Sequence, residues 1–373
     1  MKPPEKFNPL FDKFLLGGLG CGLLVLCVLV GSFFFIWQNP PSAQSAVSQT
    51  PLAVGNLSTQ TPGPSPTALF QFGTPTFLPP GFATLTITAV PAGTQAPTSL
   101  VPSPVPQFGS SPPTGKIVYT CFVNGIDQIC LMNADGSGRK QLTDYDTTAF
   151  YASLSPDGKT IYFSHKGATF DVYSMNIRGK EVRRLAAGIG NLYAPERSPT
   201  DDRIIFTNET GGTQQLWIMR VDGKNPHALT TGPEDIDPTY SPDGMLIAFA
   251  SARTGQRQLY VMERDGSEVR QITNLPDMGG RSSWSPGGRQ LTFYAGPIGD
   301  RNIYVINADG TGLARLTNGG DNLGPSWSPD GEWIAFTSFR DGNNEIYIMR
   351  PDGTNVTRLT ANSISDWQPR WGR

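Results

Sequence analysis

Trp327-Ser328-Pro329-Asp330-Gly331, then Ile334-Ala335-Phe336-Thr337-Ser338, then Ile346-Tyr347-Ile348-Met349, then Asp352-Gly353, is the stretch that decides the fold. It holds two turn signals around two short apolar runs. Ser, Pro and Gly at the first, second and fourth positions suit a type I turn. The runs are β-branched and aromatic and are bounded by turns, which predicts strands. The Ser-Pro turn also occurs at Ser155, Ser198, Ser241 and Ser285, with spacings of 43, 43, 44 and 43 through to Ser328. The second turn ends in Gly136, Gly179, Gly223, Gly266, Gly310 and Gly353, each 43 or 44 residues from the last. The paired runs return as Ile247-Ala248-Phe249 with Leu259-Tyr260-Val261-Met262, and as Leu291-Thr292-Phe293 with Ile303-Tyr304-Val305-Ile306.

A four-strand unit of this length, repeated, is the pattern of a propeller blade. Residues 116–373 number 258, six times 43, so the expectation is an all-β, six-bladed β-propeller with four-stranded blades. The phase of the repeat adds how the ring closes. The first copy opens at Lys116-Ile117-Val118-Tyr119, a second strand. The last copy ends in Pro369-Arg370-Trp371-Gly372, which matches the first-strand segment Pro325-Ser326-Trp327-Ser328. The C-terminal strand therefore completes the N-terminal blade and removes an open edge.

Upstream the composition changes twice. Phe14 to Trp37 is uncharged for 24 residues, enough to cross a ~30 Å hydrocarbon layer as a helix. Lys2, Lys6 and Lys13 precede it and the next basic residue is Lys116. The positive-inside rule then puts residues 1–13 in the cytoplasm, a single transmembrane helix at 14–37, and the remainder outside. The alternative is secretion after cleavage of a signal peptide near Ala43-Gln44-Ser45, although such a peptide has a shorter apolar core. Residues 38–115 carry no Asp, Glu, Lys, Arg or His and are rich in Pro, Thr and Ser. Proline withholds donors and fixes φ, so this spacer is expected to be a disordered stalk of polyproline-II character.

The pattern Trp-Ser-Pro-Asp-Gly, Ile-Ala-Phe-x-Ser, Ile-Tyr-x-Met-x-x-Asp-Gly, Arg-Leu-Thr resembles the TolB-type, WD-like propeller repeat. It is clearest from Trp327 to Gly353 with Arg358-Leu359-Thr360, and the ending returns at Arg315-Leu316-Thr317 and Gln271-Ile272-Thr273. The resemblance covers 116–373 and implies the fold much more specifically than the function. In that family an α/β domain precedes the propeller of a periplasmic protein that binds an envelope lipoprotein; here a membrane segment and spacer occupy that place. Related propellers also accompany peptidase domains and occur in pectate-fragment lyases.

The chemistry those relatives use is not apparent in the residues. No Gly-x-Ser-x-Gly elbow occurs, as a serine hydrolase would need. His165 and His227 are the only histidines and fall at different repeat positions, which reads as surface placement, not a metal set or a general base. One Asp per Asp-Gly turn is too few for a calcium loop, so these residues are read as turn formers. No catalytic residue, metal or cofactor is expected. Three of 29 basic and two of 31 acidic residues precede residue 116, leaving 26 against 29 in the globular part, about −3. That balance argues against nucleic acid, whose binders carry a basic surplus. Cys121 and Cys130 lie on adjacent strands and could oxidise outside the cytoplasm. They face each other if the hairpin loop is long, whereas a two-residue Asn124-Gly125 turn pairs Cys121 with Gln128.

Propellers bind partners where the channel opens. The repeat phase puts Lys166, Arg253, Arg257, Arg301 and Arg340 in loops between second and third strands. Loops entering the first strands, on the same face, carry Asp235, Asp237, Asp321, Asn322 and Asp366. The resemblance implies that the acid or amide three before Pro, which is Asp235, Asn322 and Asp366 here, sits near the channel mouth. The reading is a membrane-anchored, extracytoplasmic protein-interaction module in cell-envelope organisation, its partner an envelope protein. A surface receptor for cell-wall glycan or peptidoglycan is the alternative, and a carbohydrate-active enzyme comes third.

Overall fold

The computed structural model describes residues 111–373. The expected cytoplasmic segment at 1–13, the membrane helix at 14–37 and the spacer as far as residue 110 lie outside the described residues. Within 111–373 the chain forms six four-stranded antiparallel sheets. Five follow chain order, each running from an inner strand outward. Their inner strands are Ala149–Leu154, Asn191–Arg197, Asp235–Tyr240, Ser283–Trp284 and Asn322–Trp327. In the sixth sheet the last strand, Asp366–Gly372, lies inside the first three, Lys116–Val123, Ile126–Asn133 and Lys140–Gln141. Lys116 pairs with Gly372 and Ile117 with Trp371, so the two ends of the described chain share one blade, as the repeat phase predicts. We number this closing sheet blade 1 and the rest blades 2 to 6 in chain order.

Both faces of each middle strand are covered by neighbouring blades, which is why the sequence shows continuous apolar runs instead of clean alternation. Six apolar clusters fill the ring, one at each blade-to-blade junction. Phe163, Phe206, Phe249, Phe293 and Phe336, at spacings of 43 or 44, are fully buried and mark the same point in blades 2 to 6. In four of those blades the phenylalanine stacks on a tyrosine of the next strand at 5.7–5.8 Å, as Phe249 does on Tyr260.

Blade 1 departs from this pattern. Tyr119 holds the phenylalanine position and Cys130, its cross-strand partner, holds the tyrosine position. Cys130 is joined to Cys121 in a disulfide with a Cα separation of 5.9 Å. The hairpin turn is the two-residue Asn124-Gly125 form, with φ of 52° and 84°, and Cys121 does pair with Gln128. The bridge therefore runs diagonally, two residues out of register on the same face of the sheet. A short turn does not prevent it, because diagonal neighbours on one face of a sheet remain within reach.

The Arg-Leu-Thr ending acquires a physical role. Thr273 Oγ1 accepts the Leu259 amide at 2.8 Å and donates to Gln258 Oε1 at 2.8 Å. Thr143, Thr317 and Thr360 repeat this with Gln128, Asn302 and Glu345. Each hydroxyl ties the two-residue outer strand to the third strand at a point where the ladder has run out. Blade 2 has Ala186 at this position and instead a longer outer strand, Arg183–Ala186, with Arg184 bonded to Asp171 at 2.7 Å. The second turn has a steric requirement as well. At Gly353, φ is +85° and an added Cβ would lie 2.5 Å from the Leu316 carbonyl of the adjacent blade, a conformation and a gap that only glycine satisfies.

Replacing Thr273 with Val leaves the buried Leu259 amide without its acceptor and Gln258 Oε1 with the Leu275 amide as its remaining donor, and is expected to cost about 2 kcal/mol in denaturant unfolding; Thr273→Ser should cost well under half of that. Closing a loop over a separation of nine residues contributes at most about 2.5 kcal/mol. Reductant should lower the thermal midpoint of the native chain and leave that of Cys121→Ser unmoved.

Candidate functional site

The inner strands line the central channel, and its two ends are built differently. At the end bearing the loops between second and third strands, the charged residues are braced against one another. Asp235 is fully buried and its Oδ1 accepts Arg253 Nη2 at 2.9 Å. The same guanidinium bonds Ser251 Oγ at 3.0 Å and lies over the Phe249 and Tyr260 rings at 5.1 and 5.0 Å. Blade 6 repeats the device. Arg340 reaches Asn322 Oδ1 at 3.1 Å and Ser338 Oγ at 2.8 Å, and lies 4.6 Å from the Tyr347 centroid. Arg301 of blade 5 grips Asp321, at the entry to blade 6, through two contacts of 2.6 Å. Arg257 is bonded to Glu234, which precedes the inner strand of its own blade. These side chains fix the loops in place; they are less the loose charged fringe that the sequence alone suggests.

Lys166 stands apart, exposed, with its ammonium 5.6 Å from the Phe170 ring. Asp366 is buried at the mouth and accepts Asn362 Nδ2 at 2.7 Å. Burial, reinforced by the nearby Glu345 carboxylate, pushes its pKa up to about 6. His165 is half-buried, stacked on Tyr145 at 4.1 Å with Nε2 3.0 Å from Thr147 Oγ1, so the expected surface placement applies to His227 alone.

Asp237 belongs elsewhere. It sits halfway down the channel, at the irregular position where the inner strands slip register, with φ of 53°. Tyr151, Ala194, Gly324 and Gln368 share that position and that positive φ in other blades. Blade 5 places Arg281 there, and two residues further along the closing strand stands Arg370. Both are buried. Arg281 Nη2 reaches across to the Ala152 carbonyl at 3.4 Å, its guanidinium over the Tyr151 ring at 5.1 Å. Arg370 Nη1 donates to the Ser282 carbonyl at 2.9 Å, and its Nη2 lies 3.9 Å from Glu196 Oε2. The two arginines plug the waist of the channel. Burial first, then the Arg370 charge, pushes the Arg281 pKa down to about 9. Burial likewise raises the Asp237 carboxyl, partly offset by Arg281, Arg257 and Arg370. Sequence reading missed this pair. The available signal was a break in the repeat, since Arg370 falls where the other copies have Ser153, Glu196, Thr239, Ser283 and Ser326, four of them small hydroxyl residues.

The Asp-Gly and Ser-Pro turn carboxylates are occupied within their own turns. Asp157 Oδ1 accepts Ser155 Oγ at 2.6 Å and the Lys159 amide at 3.1 Å, and Asp265 Oδ1 accepts the Ser267 amide at 2.9 Å. This use is conformational and leaves no ring of oxygens for a cation.

Asp366 carries a testable pH signature. A carboxyl whose folded pKa lies above its unfolded value loses stability as pH rises from about 4 through about 6. Asp366→Asn is therefore expected to be more stable than the native chain at pH 7.5, by on the order of 2 kcal/mol. The difference should vanish below pH 4 in urea unfolding at a series of pH values.

Residues 101–267 and 267–373 each match the family described as the TolB beta propeller domain. An uncharacterised protein of Agrobacterium fabrum is 35% identical over 122 residues, 32% of this chain and 41% of that protein. The Tol-Pal system protein TolB of Anaeromyxobacter dehalogenans is 30% identical over 121 residues, 31% of this chain and 27% of that protein. The chain thus matches less than half the length of either relative. The crystal structure of TolB from Acinetobacter baumannii superposes with a TM-score of 0.62 at 21% identity, over 69% of this chain and 66% of that one, a likeness of fold. With both matches to the family together spanning 101–373, the chain belongs to the TolB beta propeller domain family.

Proposed function

We propose that the chain is a membrane-anchored, extracytoplasmic protein-interaction module whose partner is an envelope protein, bound at the channel end that carries Arg253, Arg301 and Arg340. The observation that carries this reading is the position of the entry point. Gly115 lies against Gly372, on the face of the Ser-Pro turns, so the described chain enters the ring at the end opposite the rim. That rim is held rigid by Arg253–Asp235, Arg301–Asp321 and Arg340–Asn322. Loops fixed before binding lose little entropy on association, which favours recognition of a folded partner. The relatives named as Tol-Pal system proteins support an envelope setting. A glycan receptor would be expected to expose aromatic rings near the mouth, whereas Phe150, Phe170, Tyr193 and Trp367 are all buried there. The uncharged segment Phe14 to Trp37 is read as the anchor and the spacer as the arm that extends the ring from it.

Photo-crosslinking in intact cells tests this. A crosslinking amino acid at the exposed rim positions Ala168 or Gln256 should yield discrete protein adducts, and one at Lys159, on the Ser-Pro face, should not. Adducts that resist protease and yield to glycan hydrolases would shift the reading to a glycan receptor. Equal adduct formation at Lys159 would remove the rim from the argument.

A further inference from the structure

The face opposite the rim holds a cavity of about 300 Å³, formed by the lower half of the channel between the Ser-Pro turns. Its innermost level is one residue from each inner strand: Ser153, Glu196, Thr239, Ser283, Ser326 and Arg370. The level nearer the opening is largely aromatic, with Tyr240, Trp284, Trp327 and Trp371.

Unpaired donors are in excess around this space. Arg370 Nε and Trp327 Nε1 are buried and have no partner within the protein. The reason for the second lies in the repeat. Trp284 Nε1 donates to the Thr239 carbonyl of the preceding blade. The carbonyl one repeat on for Trp327 is that of Ser283, which accepts Thr292 Oγ1 at 3.3 Å instead. Ser283 and Ser326 accept the amides of Trp327 and Trp371 through Oγ and keep their own hydroxyl hydrogens to give. Glu196 is the one carboxylate side chain lining the cavity, and its Oε1 is taken by Thr239 Oγ1 and the Tyr240 amide. Immediately behind stands Arg281, whose Nε and Nη1 also have no partner, next to an unpartnered Ser282 hydroxyl. Glu196 and Asp237 face these two guanidinium groups, each more than nine-tenths buried, yet Arg281 Nε and Nη1 and Arg370 Nε remain unpaired, and a buried donor without a partner is costly.

We propose that this cavity is a binding site for a small organic oxyanion, a carboxylate or a phosphate monoester, held by Arg370 with Trp327 Nε1 and the Ser283 and Ser326 hydroxyls. A guanidinium supplies paired donors suited to such a group. The aromatic level accommodates an apolar or ring-shaped body, and the volume is at the small end of ligand sites. The site lies on the face opposite the rim and is independent of the partner assigned there.

The test is titration of the detergent-solubilised full chain with phenyl phosphate, benzoate, inorganic phosphate and uncharged benzamide, followed by tryptophan emission and thermal midpoint. Phenyl phosphate or benzoate should give a saturable change in both signals, and benzamide none. Response to phenyl phosphate and inorganic phosphate but not to benzoate would assign the phosphate class; the reverse would assign the carboxylate class. Arg370→Gln should weaken binding about tenfold or more, and Trp327→Phe, which removes one N–H and little volume, severalfold. If Arg370→Gln does not fold, Trp327→Phe decides alone. No saturable response to any anion, an equal response to benzamide, or unchanged affinity in the folded variants would overturn the proposal.

Discussion

The pairing of Lys116 with Gly372 is the contact on which the rest of the ring depends. Each blade buries its apolar faces only against two neighbours, and six blades in a row would leave two faces and two edges bare. Borrowing the innermost strand of blade 1 from the far end of the sequence converts an open stack into a ring without ends. All six junction clusters then become equivalent, and the channel acquires a complete wall. The waist formed by Arg281 and Arg370 exists only because of this closure, since Arg370 sits on the borrowed strand and meets Ser282 from blade 5.

The same framework assigns different work to chemically similar residues. Arg253 and Arg340 are spent on local order: each joins a loop, an inner strand and an aromatic pair within its own blade. Arg301 spans two blades through Asp321. Arg281 and Arg370 instead retain unmatched donors in a low-dielectric setting, where an unmatched donor is most consequential. Counting charges per face would treat all five alike, and only their partners separate structure from recognition.

Blade number, strand order and closure were legible because a repeat of 43 or 44 residues is a covalent property that survives divergence at single positions. The turns were equally legible, since Ser155, Asp157 and Gly158 carry their conformational preference locally. Side-chain partnership was not. Whether Asp235 is a free rim charge or a buried counter-ion depends on Arg253, 18 residues away, and nothing in the spacing fixes that rotamer. The disulfide was half legible. The Asn124-Gly125 turn gave the correct register, but the diagonal reach between Cys121 and Cys130 depends on the local shape of the hairpin. The waist arginines escaped because the repeat was read for what recurs, and they are what fails to recur.

The diagonal bridge has a mechanical meaning. A pull arriving through Gly115 loads the seam at Lys116, where the first strand is held by Gly372 on one side and Asn133 on the other. Under such a load the strand peels pair by pair from that end, the weakest direction for a β-ladder. Peeling from the second strand can pass Ile117, Val118, Tyr119 and Thr120, and at Cys121 it meets a covalent bond. The lever arm is thereby limited to five residues, and further tension is carried by the hairpin as one piece. The covalent reinforcement thus lies in the blade that a tug at the seam would open first.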